Sequence, residues 1–220
     1  INLRILSAQS IDFTHAVVRD IIDLNYAKDI KQHPILYFTN MSLPGLLYCD
    51  WSLNKIKQSI YNQNETTTWN QKANQFLMIK ENFKRNGQYD NEDFAYVEYR
   101  RCKALDIRAR NHSNIFGKAT SRLLYWLDKL MLDYTGLYGT SPIRVFITMV
   151  LSYVTFSLGY LLIILAKWGD IIVSVGEKYE LPLLAKSFYH SSITMLTIGY
   201  GDHFPVGLAR SLSAVQGFVG

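Results

Sequence analysis

The stretch TIGYGD, residues 197–202, has residue types and a spacing that suit the binding of a cation by the main chain. It follows a long apolar segment, and its two glycines alternate with larger residues. In hydrocarbon every backbone N–H and C=O group needs a partner, so irregular backbone at membrane depth is tolerated only where it lines a cavity or pathway. Gly199 and Gly201 can adopt positive φ angles at little cost, which lets successive carbonyl groups face one axis. We therefore expect these carbonyl oxygens to coordinate a cation.

A segment able to cross a bilayer precedes this stretch. From Val145 to Ala166 the chain has 22 residues without a charge, which as a helix would be about 33 Å long. A buried core helix is the alternative, but such helices are rarely apolar on every face for six turns. Ser141 supplies an N-cap and Pro142 a first-turn proline, while the Lys-Trp pair at 167–168 suits the opposite interface.

Two shorter apolar stretches flank the glycine motif. Residues 181–196 are too few and too polar to cross a bilayer, and they run straight into the motif, so we predict a re-entrant helix from about Pro182 to Leu196. The stretch FPVGLARSLSAVQGFVG begins like a membrane helix, yet Val206 to Gly220 would span only about 22 Å. We expect that helix to continue past Gly220, and we expect further residues before Ile1.

An amphipathic segment lies just before the long apolar one. In residues 121–134 six apolar or aromatic side chains fall on one helical face: Leu123, Leu124, Leu127, Leu130, Met131 and Tyr134. With Tyr125 and Trp126 nearby and a membrane span following, this helix suits the membrane interface. The alternative is a soluble helix whose apolar face packs into a core.

Residues 69–110 predict two helices joined at RNGQYDNED. Gly87 can end the first helix, and Asp90 can cap the second ahead of Asp93. The second helix carries a basic cluster, which consists of Arg100, Arg101, Lys103, Arg108 and Arg110. We interpret the cluster as a solvated helix face, with a site for an anionic lipid or ligand as the alternative.

The first 25 residues follow a period of five: INLRI, LSAQS, IDFTH, AVVRD, IIDLN. Nine of the ten residues at positions one and three of these units are apolar, and neither a helix nor a strand gives that spacing. The pattern predicts a partial right-handed β-helix with four five-residue sides, which residues 43–53 could finish as a last coil or cap. It resembles the pentapeptide-repeat family, although Asp23 falls at an inward position. An irregular small β segment is the alternative.

The sequence TMLTIGYGD, residues 194–202, resembles the potassium-channel signature, whose TVGYG loop lines the ion filter. A chance match to Thr-x-Gly-Tyr-Gly-Asp in a chain of this size is on the order of one in ten thousand. The resemblance to two-helix bacterial potassium channels covers residues 142–220, and the region before them resembles bacterial channels that join a pentapeptide-repeat region to such a pore. It implies a mainly α membrane protein whose homotetrameric pore has an outer helix near 143–167, a pore helix, a filter and an inner helix.

The same resemblance implies roles for the motif residues. Main-chain carbonyls of Thr197, Ile198, Gly199 and Tyr200 would bind dehydrated K⁺, with Gly201 completing the filter and the Thr197 hydroxyl adding an inner ring. Four copies would surround the axis. The pore helix would aim its carboxyl end at the cavity, where its dipole favours a cation.

Residues around the filter also receive roles from the resemblance. The ring of Tyr200 would pack against pore-helix aromatics such as Phe188 or Tyr189, and Thr194 would support the filter. Asp202 would lie at the outer mouth, where it concentrates cations and bonds to the end of the pore helix. Gly217 and Gly220 are candidate hinge positions in the inner helix.

This sequence departs from the family pattern at two positions. Leu196 replaces the threonine often found before the filter threonine, and Ile193 stands where some relatives have a carboxylate behind the filter, which leaves filter stability and inactivation open. His190 and His203 flank the motif; a pH effect is conceivable, and we expect His203 to be a solvated residue of the outer mouth. Arg210 is expected to reach the outer interface.

Composition limits the other classes. The 220 residues carry a net charge of +5, and the part before residue 145 holds all of that excess charge. Cys49 and Cys102 have no zinc or redox spacing, so we expect two free thiols. No spacing of nucleophile, base or metal ligands suggests an enzyme. Nucleic-acid binding is not expected either, because no aromatic platform or groove-reading motif accompanies the basic residues.

These observations predict four regions. They are residues 1–53, a pentapeptide-repeat-like β region; 54–118, a cytoplasmic helical region; 119–140, an interfacial amphipathic helix and linker; and 141–220, the pore domain. Filters of this type open to the outside, so the resemblance implies a bacterial cell membrane with the N-terminal region in the cytoplasm. Counts of Lys and Arg beside the span do not decide the orientation.

The sequence therefore predicts a homotetrameric channel subunit that conducts K⁺ passively through the lipid bilayer. K⁺ is the permeant ion and no other cofactor is expected. The cytoplasmic region would modulate gating, with an unknown cytoplasmic ligand or an anionic lipid as a possible partner. The alternatives are a nonselective cation channel and a non-conducting, membrane-anchored scaffold or sensor.

Overall fold

The computed structural model describes residues 8–24, 33–109, 115–174 and 181–219, and the chain divides into two units, residues 1–141 and 142–220. Arg110, Gly220 and the first seven residues of the five-residue pattern lie outside the described residues. The elements of the first unit are β1 (Ser10–Asp12), β2 (Ile21–Asp23), β3 (Ile35–Tyr37), β4 (Leu46–Tyr48), α1 (Ile56–Tyr61), α2 (Trp69–Arg85), α3 (Tyr89–Ala109), α4 (Ile115–Asp128) and a π-helix (Lys129–Tyr134). Those of the second are α5 (Pro142–Leu165), β5 (Gly169–Val173), α6 (Leu183–Met195), β6 (His203–Gly207) and α7 (Leu208–Val219).

The strands of the first unit form two parallel pairs. β1 pairs with β3 and β2 pairs with β4, with Ser10 opposite Ile35 and Ile21 opposite Leu46. An isolated parallel bridge joins Val17 to Ser42. In both strand pairs and in the bridge, each paired residue therefore lies beside the one twenty-five positions later in the chain.

The predicted right-handed β-helix is not evident among the described residues. Each strand of the first unit has only three residues and each sheet only two strands. Four sides of five residues would place a residue beside the one twenty positions later, whereas the observed step is twenty-five. The second row of strands comes from residues 35–48, so most of it lies outside the stretches used for the prediction.

Helix side chains occupy the outer edge of the second row. The buried Asn82 side chain accepts a hydrogen bond from the backbone N–H of Leu47 at 2.9 Å and donates one to the Leu47 carbonyl at 2.7 Å. The buried Gln75 accepts a hydrogen bond from the backbone N–H of Phe38 at 3.0 Å. Amide side chains of α2 thus take the place of a further strand, because buried backbone groups need partners.

The predicted helix pair over residues 69–110 is confirmed. Thr68 and Gln71 form a capping box at the start of α2, and Gly87, at φ +69°, follows its end. The N–H of Gln88 bonds to the Phe83 carbonyl at 2.9 Å, as in a Schellman motif. The prediction that Asp90 caps α3 is wrong, because that helix already begins one residue earlier.

The basic cluster of α3 is not simply a solvated face. Arg101 lies 2.8 Å from Glu98 and 2.7 Å from Asp133 in ion pairs, and Arg100 lies 3.6 Å from Asp128. Two of the cluster's arginines therefore have acidic partners on α4 and the π-helix that follows it. Sequence spacing did not reveal these partners because they lie about thirty residues further along the chain.

The predicted amphipathic helix forms, but its last turns are π-helical and its polar side is the packed one. Ser121, Tyr125 and Asp133 are buried within the unit. The apolar face consists of side chains that are 42–62% exposed, namely Leu123, Leu124, Trp126, Leu127, Leu130, Met131, Leu132 and Tyr134. The alternative in which this face packs into a soluble core is therefore wrong. The location of this helix at a membrane interface stays a prediction.

The second unit has helices where the sequence predicted a membrane span and a short re-entrant helix. Among the described residues α5 is the one helix long and apolar enough to cross a membrane, with a mean hydropathy of 2.0. Both α5 and α6 begin and end within two residues of the predicted bounds. The sequence did not reveal β5 and β6, which pair antiparallel on either side of α6. Because β6 extends to Gly207, α7 begins later than expected.

Asn82→Leu tests the amide that closes the β4 edge. The N–H of Leu47 would lose its partner in a buried environment, so the first unit should lose about 1–3 kcal/mol of stability. Urea denaturation of the full chain in detergent, followed by fluorescence, measures the change. Asn70→Leu makes the same substitution at an exposed position of α2 and should stay within about 0.5 kcal/mol. Equal effects of the two substitutions would contradict the assignment.

Candidate ion-conducting site

The TIGYGD loop begins on the last turn of α6. Leu196 caps that helix, the N–H of Thr197 bonds to the Thr194 carbonyl at 3.1 Å, and the N–H of Ile198 bonds to the Ile193 carbonyl at 2.9 Å. The first two residues of the loop are thus held by carbonyl groups of the helix. The carboxyl end of α6, with its partial negative charge, directs the start of the loop.

The backbone of the loop alternates in handedness. Thr197, Gly199 and Gly201 have φ angles of +53°, +56° and +76°, and the residues between them have no positive φ. Positive φ at every second residue turns successive peptide groups in a way that ordinary strands do not. The sequence predicted this conformation at the two glycines.

Thr197 also has a positive φ angle, which the sequence did not predict. For a residue with a β-carbon this conformation costs about 1–2 kcal/mol. Its hydroxyl donates a hydrogen bond to the Leu196 carbonyl at 2.8 Å. Threonine has no preference for this region, so residue type alone gave no signal.

Asp202 ends the loop and ties it to neighbouring elements. Its carboxylate accepts a hydrogen bond from the Tyr189 hydroxyl at 2.6 Å and one from the N–H of His203 at 3.0 Å. Its carbonyl accepts a hydrogen bond from the N–H of Ser174 at 2.7 Å. The bond from Tyr189 is the main cause that holds the pKa of the Asp202 carboxyl below its ordinary value. Asp202 is therefore a carboxylate attached to α6, though at the middle of that helix and not at its end.

The predicted support residues contact other partners within the chain. Phe188 packs edge-on against Tyr153, with ring centroids 5.7 Å apart, and Tyr189 packs against His203 at 5.2 Å. Tyr200 is 69% exposed, so a single chain does not bring its ring together with these aromatics. The Thr194 hydroxyl lies 3.5 Å from His190 Nε2.

His203 is not the solvated residue that the sequence predicted. It is 7% exposed, and its Nδ1 lies 3.2 Å from the Asp202 carboxylate. Its burial follows from the pairing of β6 with β5, which places the side chain against Tyr189. Long-range strand pairing of this kind leaves little trace in a short sequence window.

The remaining predicted positions are divided between the surface and the interior. Ile193 is buried, whereas Leu196 and Arg210 are exposed. Gly217 lies within α7, and a β-carbon there would meet no atom within 4 Å. Gly220, the other candidate hinge, lies outside the described residues.

Sequence reasoning missed a group of polar residues behind α6, of which Ser213 is half-buried and the others are buried. They are Tyr160 on α5, His190 and Ser191 on α6, and Ser213 and Gln216 on α7, and they are joined by hydrogen bonds. A usable signal existed, because polar residues inside otherwise apolar membrane helices usually face the protein interior and carry a role.

Other reactive groups fit no active site. Cys49 and Cys102 are free, as predicted, and the structure shows that both are buried. Burial raises the pKa of each thiol to about 12, so both stay neutral near pH 7. Within the described ranges there is no group of three or more His, Cys, Asp or Glu placed to hold a metal ion.

The second unit thus consists of an apolar helix, a short helix, an irregular loop and a further helix, with one short strand on each side of the short helix and its loop. A family model described as ion channel matches residues 148–220, about a third of the chain. No curated protein and no solved structure matches the chain. Residues 148–220 are therefore an ion channel domain, and together with α5 they indicate a membrane location. A channel family agrees with the expectation that the protein is not an enzyme.

Tyr189→Phe tests the bond to Asp202. Without the phenol O–H the pKa of Asp202 should rise toward its ordinary value of about 4. A carboxyl whose pKa is lowered by folding contributes stability above its unfolded-state pKa and loses it as the pH falls through its folded-state pKa. The variant should therefore melt at a lower temperature than the unchanged protein at pH 7, and this difference should shrink below about pH 4.

Tyr153→Phe is the matched control for this experiment. It removes a phenol hydroxyl from α5 and leaves the partner of Asp202 in place. Its melting temperature is measured in detergent over the same pH range. Any difference from the unchanged protein should be the same at pH 7 and in acid, because the partner of Asp202 is still present. A difference for Tyr189→Phe that is the same at pH 7 and pH 3 would rule out the carboxylate as the partner that matters.

Proposed function

We propose that this chain is one subunit of a potassium-selective channel that conducts K⁺ passively through the backbone carbonyl groups of its TIGYG loop. The observation that carries the proposal is the alternation of positive φ angles at Thr197, Gly199 and Gly201 in a loop held by the end of α6. The location of this loop inside an ion channel domain supports it.

The chemistry is the exchange of water for carbonyl oxygen. K⁺ loses its hydration shell only where oxygen atoms replace the lost water molecules, and carbonyls of Thr197, Ile198, Gly199 and Tyr200 are the donors that we assign to it. Gly201 ends the filter and Asp202 concentrates cations at the outer mouth. Fixed oxygen atoms give selectivity without a metal cofactor, so K⁺ is the only ion that the mechanism requires.

A homotetramer follows from the number of ligands. One chain presents a single row of carbonyls, and its loop residues 197–201 are all exposed in the isolated subunit. Closed symmetry around one axis is the usual way in which identical chains complete such a ring. Four copies would bury the loop and give the exposed Tyr200 ring partners on neighbouring subunits.

We further propose a bacterial cell membrane, with the first unit in the cytoplasm and the lipid bilayer around α5. The exposed apolar side chains of α5 support the lipid contact. The first unit would modulate gating through an unidentified cytoplasmic ligand or an anionic lipid, and we assign it no nucleic-acid partner.

A buried ion network supports a role of the first unit in gating. Arg101 on α3 contacts both Glu98 and Asp133, and the two carboxylates are only 5% and 11% exposed. Hydrogen bonds from the guanidinium to Asp133 raise the pKa of Arg101 above its ordinary value. Asp133 lies nine residues before Pro142, where α5 begins, so the network joins the soluble helices to the segment that leads into the span.

Gly199→Ala tests the filter. A β-carbon strains a residue at φ +56°, so K⁺ flux from liposomes that hold the full-length protein should fall at least tenfold. Gly87→Ala is the matched control, because Gly87 also has a positive φ and open surroundings but lies between α2 and α3. It should keep the flux. Equal flux in both variants would contradict the filter assignment, and equal passage of Na⁺ and K⁺ by the unchanged protein would indicate a nonselective channel.

Asp133→Asn tests the ion network. Arg101 would lose its main partner in a partly buried position, which should cost the first unit about 1–3 kcal/mol in urea denaturation of the full chain. The ratio of K⁺ to Na⁺ permeability should not change, because the filter is untouched. Glu81→Gln, which breaks the exposed pair with Lys80, should cost less than about 1 kcal/mol. A cost for Asp133→Asn no larger than that of Glu81→Gln would show that the network contributes nothing.

A further inference from the structure

The polar residues behind α6 form a continuous chain between three helices, and all of them except the half-buried Ser213 are buried. The chain consists of Tyr160 on α5, His190 and Ser191 on α6, and Ser213 and Gln216 on α7. Tyr160 and Ser191 are fully buried, and Gln216 and His190 nearly so. Polar groups in the apolar part of a membrane protein are costly unless each has a partner, so the arrangement is under strong constraint.

The direction of every bond follows from one backbone carbonyl. The Ser191 carbonyl can only accept, and the Gln216 amide nitrogen lies 2.9 Å from it, so the amide must donate there. The same nitrogen donates to the Ser191 hydroxyl at 2.8 Å. The amide oxygen of Gln216 then faces Tyr160, whose hydroxyl donates to it at 2.8 Å.

The remaining bonds run from α6 back to this tyrosine. Tyr160 has given its only hydroxyl hydrogen to Gln216, so Ser213, 2.9 Å away, must donate to the Tyr160 oxygen. The Ser213 oxygen therefore accepts from His190 Nε2 at 2.8 Å. The other ring nitrogen of His190 has no hydrogen-bond partner among the described residues, which makes Ser213 the main polar anchor of that ring.

The helix that takes part in these bonds, α6, is also the one to which the TIGYG loop is bonded. His190 and Ser191 lie in the last two turns of α6, and the N–H groups of Thr197 and Ile198 bond to carbonyls of its last turn. A shift of α7 would displace Ser213 and Gln216. Because these two residues bond to His190 and Ser191, the shift would also move α6. Two anchors on one helix resist rotation as well as translation.

We propose that Ser213 and Gln216 are positioning residues that transmit the position of α7 to the filter through His190 and Ser191. This inference rests on the proposed function for its consequence, which is control of the filter by the inner helix. The polar chain fixes the position of the filter relative to α7. The order of the filter backbone therefore depends on these side-chain bonds.

The test compares Ser213→Ala with Ser187→Ala in the full-length protein. Both serines lie in the second unit, but among the described residues the buried Ser187 hydroxyl bonds only to the Leu183 carbonyl of its own helix, at 3.0 Å. Tyr160→Phe is a second variant that breaks the same chain from α5. Hydrogen exchange of the peptide covering residues 197–202 reports the order of the filter backbone directly.

We expect Ser213→Ala and Tyr160→Phe to speed exchange of the filter peptide at least about five- to tenfold, because each variant removes two hydrogen bonds of the chain and the loss of one accounts for about that factor. Ser187→Ala should leave it within about twofold. The K⁺ to Na⁺ permeability ratio in liposomes should fall in the first two variants and not in the third. Filter exchange that is the same in all three variants would overturn the proposal, as would faster exchange spread evenly over the second unit.

This design separates the inference from the proposed function. If the unchanged protein passes no K⁺, the proposed function fails, and faster filter exchange in Ser213→Ala still supports the coupling of α7 to the loop. If it passes K⁺ selectively and Ser213→Ala changes neither the exchange nor the permeability ratio, the coupling fails alone. Should Ser213→Ala not fold, Tyr160→Phe carries the same comparison against Ser187→Ala.

Discussion

Peptide carbonyl groups that leave a helix inside an apolar medium must find another partner, and the second unit is organised around this requirement. The loop after α6 begins on two backbone hydrogen bonds to that helix and ends at Asp202, which bonds to Tyr189 and to the segment after β5. β5 and β6 pair with each other and satisfy the backbone on both sides of the loop. In the function that we propose, the carbonyl groups between these anchors are the ones that coordinate the dehydrated ion.

The sequence predicted the parts of this unit that depend on local pattern. A long run without charges set the bounds of α5, a short apolar run set those of α6, and the two glycines showed where positive φ angles would occur. It could not predict the pairing of β5 with β6, because the paired residues are thirty or more positions apart in the chain. The burial of His203 depends on that pairing and was missed for the same reason. The polar chain through Gln216 had a signal in the sequence, namely polar residues within apolar helices, but which of them meet depends on how α5, α6 and α7 pack.

The first unit shows a related limit. The structure does stack short parallel strands, but not with the inward positions that the period of five predicted: Ile21 is exposed, whereas Ile22 and Leu24 are buried. The number of residues between paired positions, however, is set by the length of chain that joins the two rows of strands. The spacing of apolar residues within one row does not determine it. The end of the stack depends on α2, whose Asn82 and Gln75 side chains bind the strand backbone. Residue type predicts amides as surface groups, so this use of them could be recognised only from the structure.

The unusual orientation of α4 and the π-helix affects how the first unit can be handled in water. Its buried hydrophobic cluster is complete by Cys102, whereas the apolar face lies entirely beyond residue 114. A fragment that ends at Ser141 would expose the eight apolar or aromatic side chains of this face to water and should self-associate without detergent. A fragment that ends near Ala109 would keep the hydrophobic cluster and lack the exposed apolar face. It is therefore better suited to ligand screening in buffer without detergent.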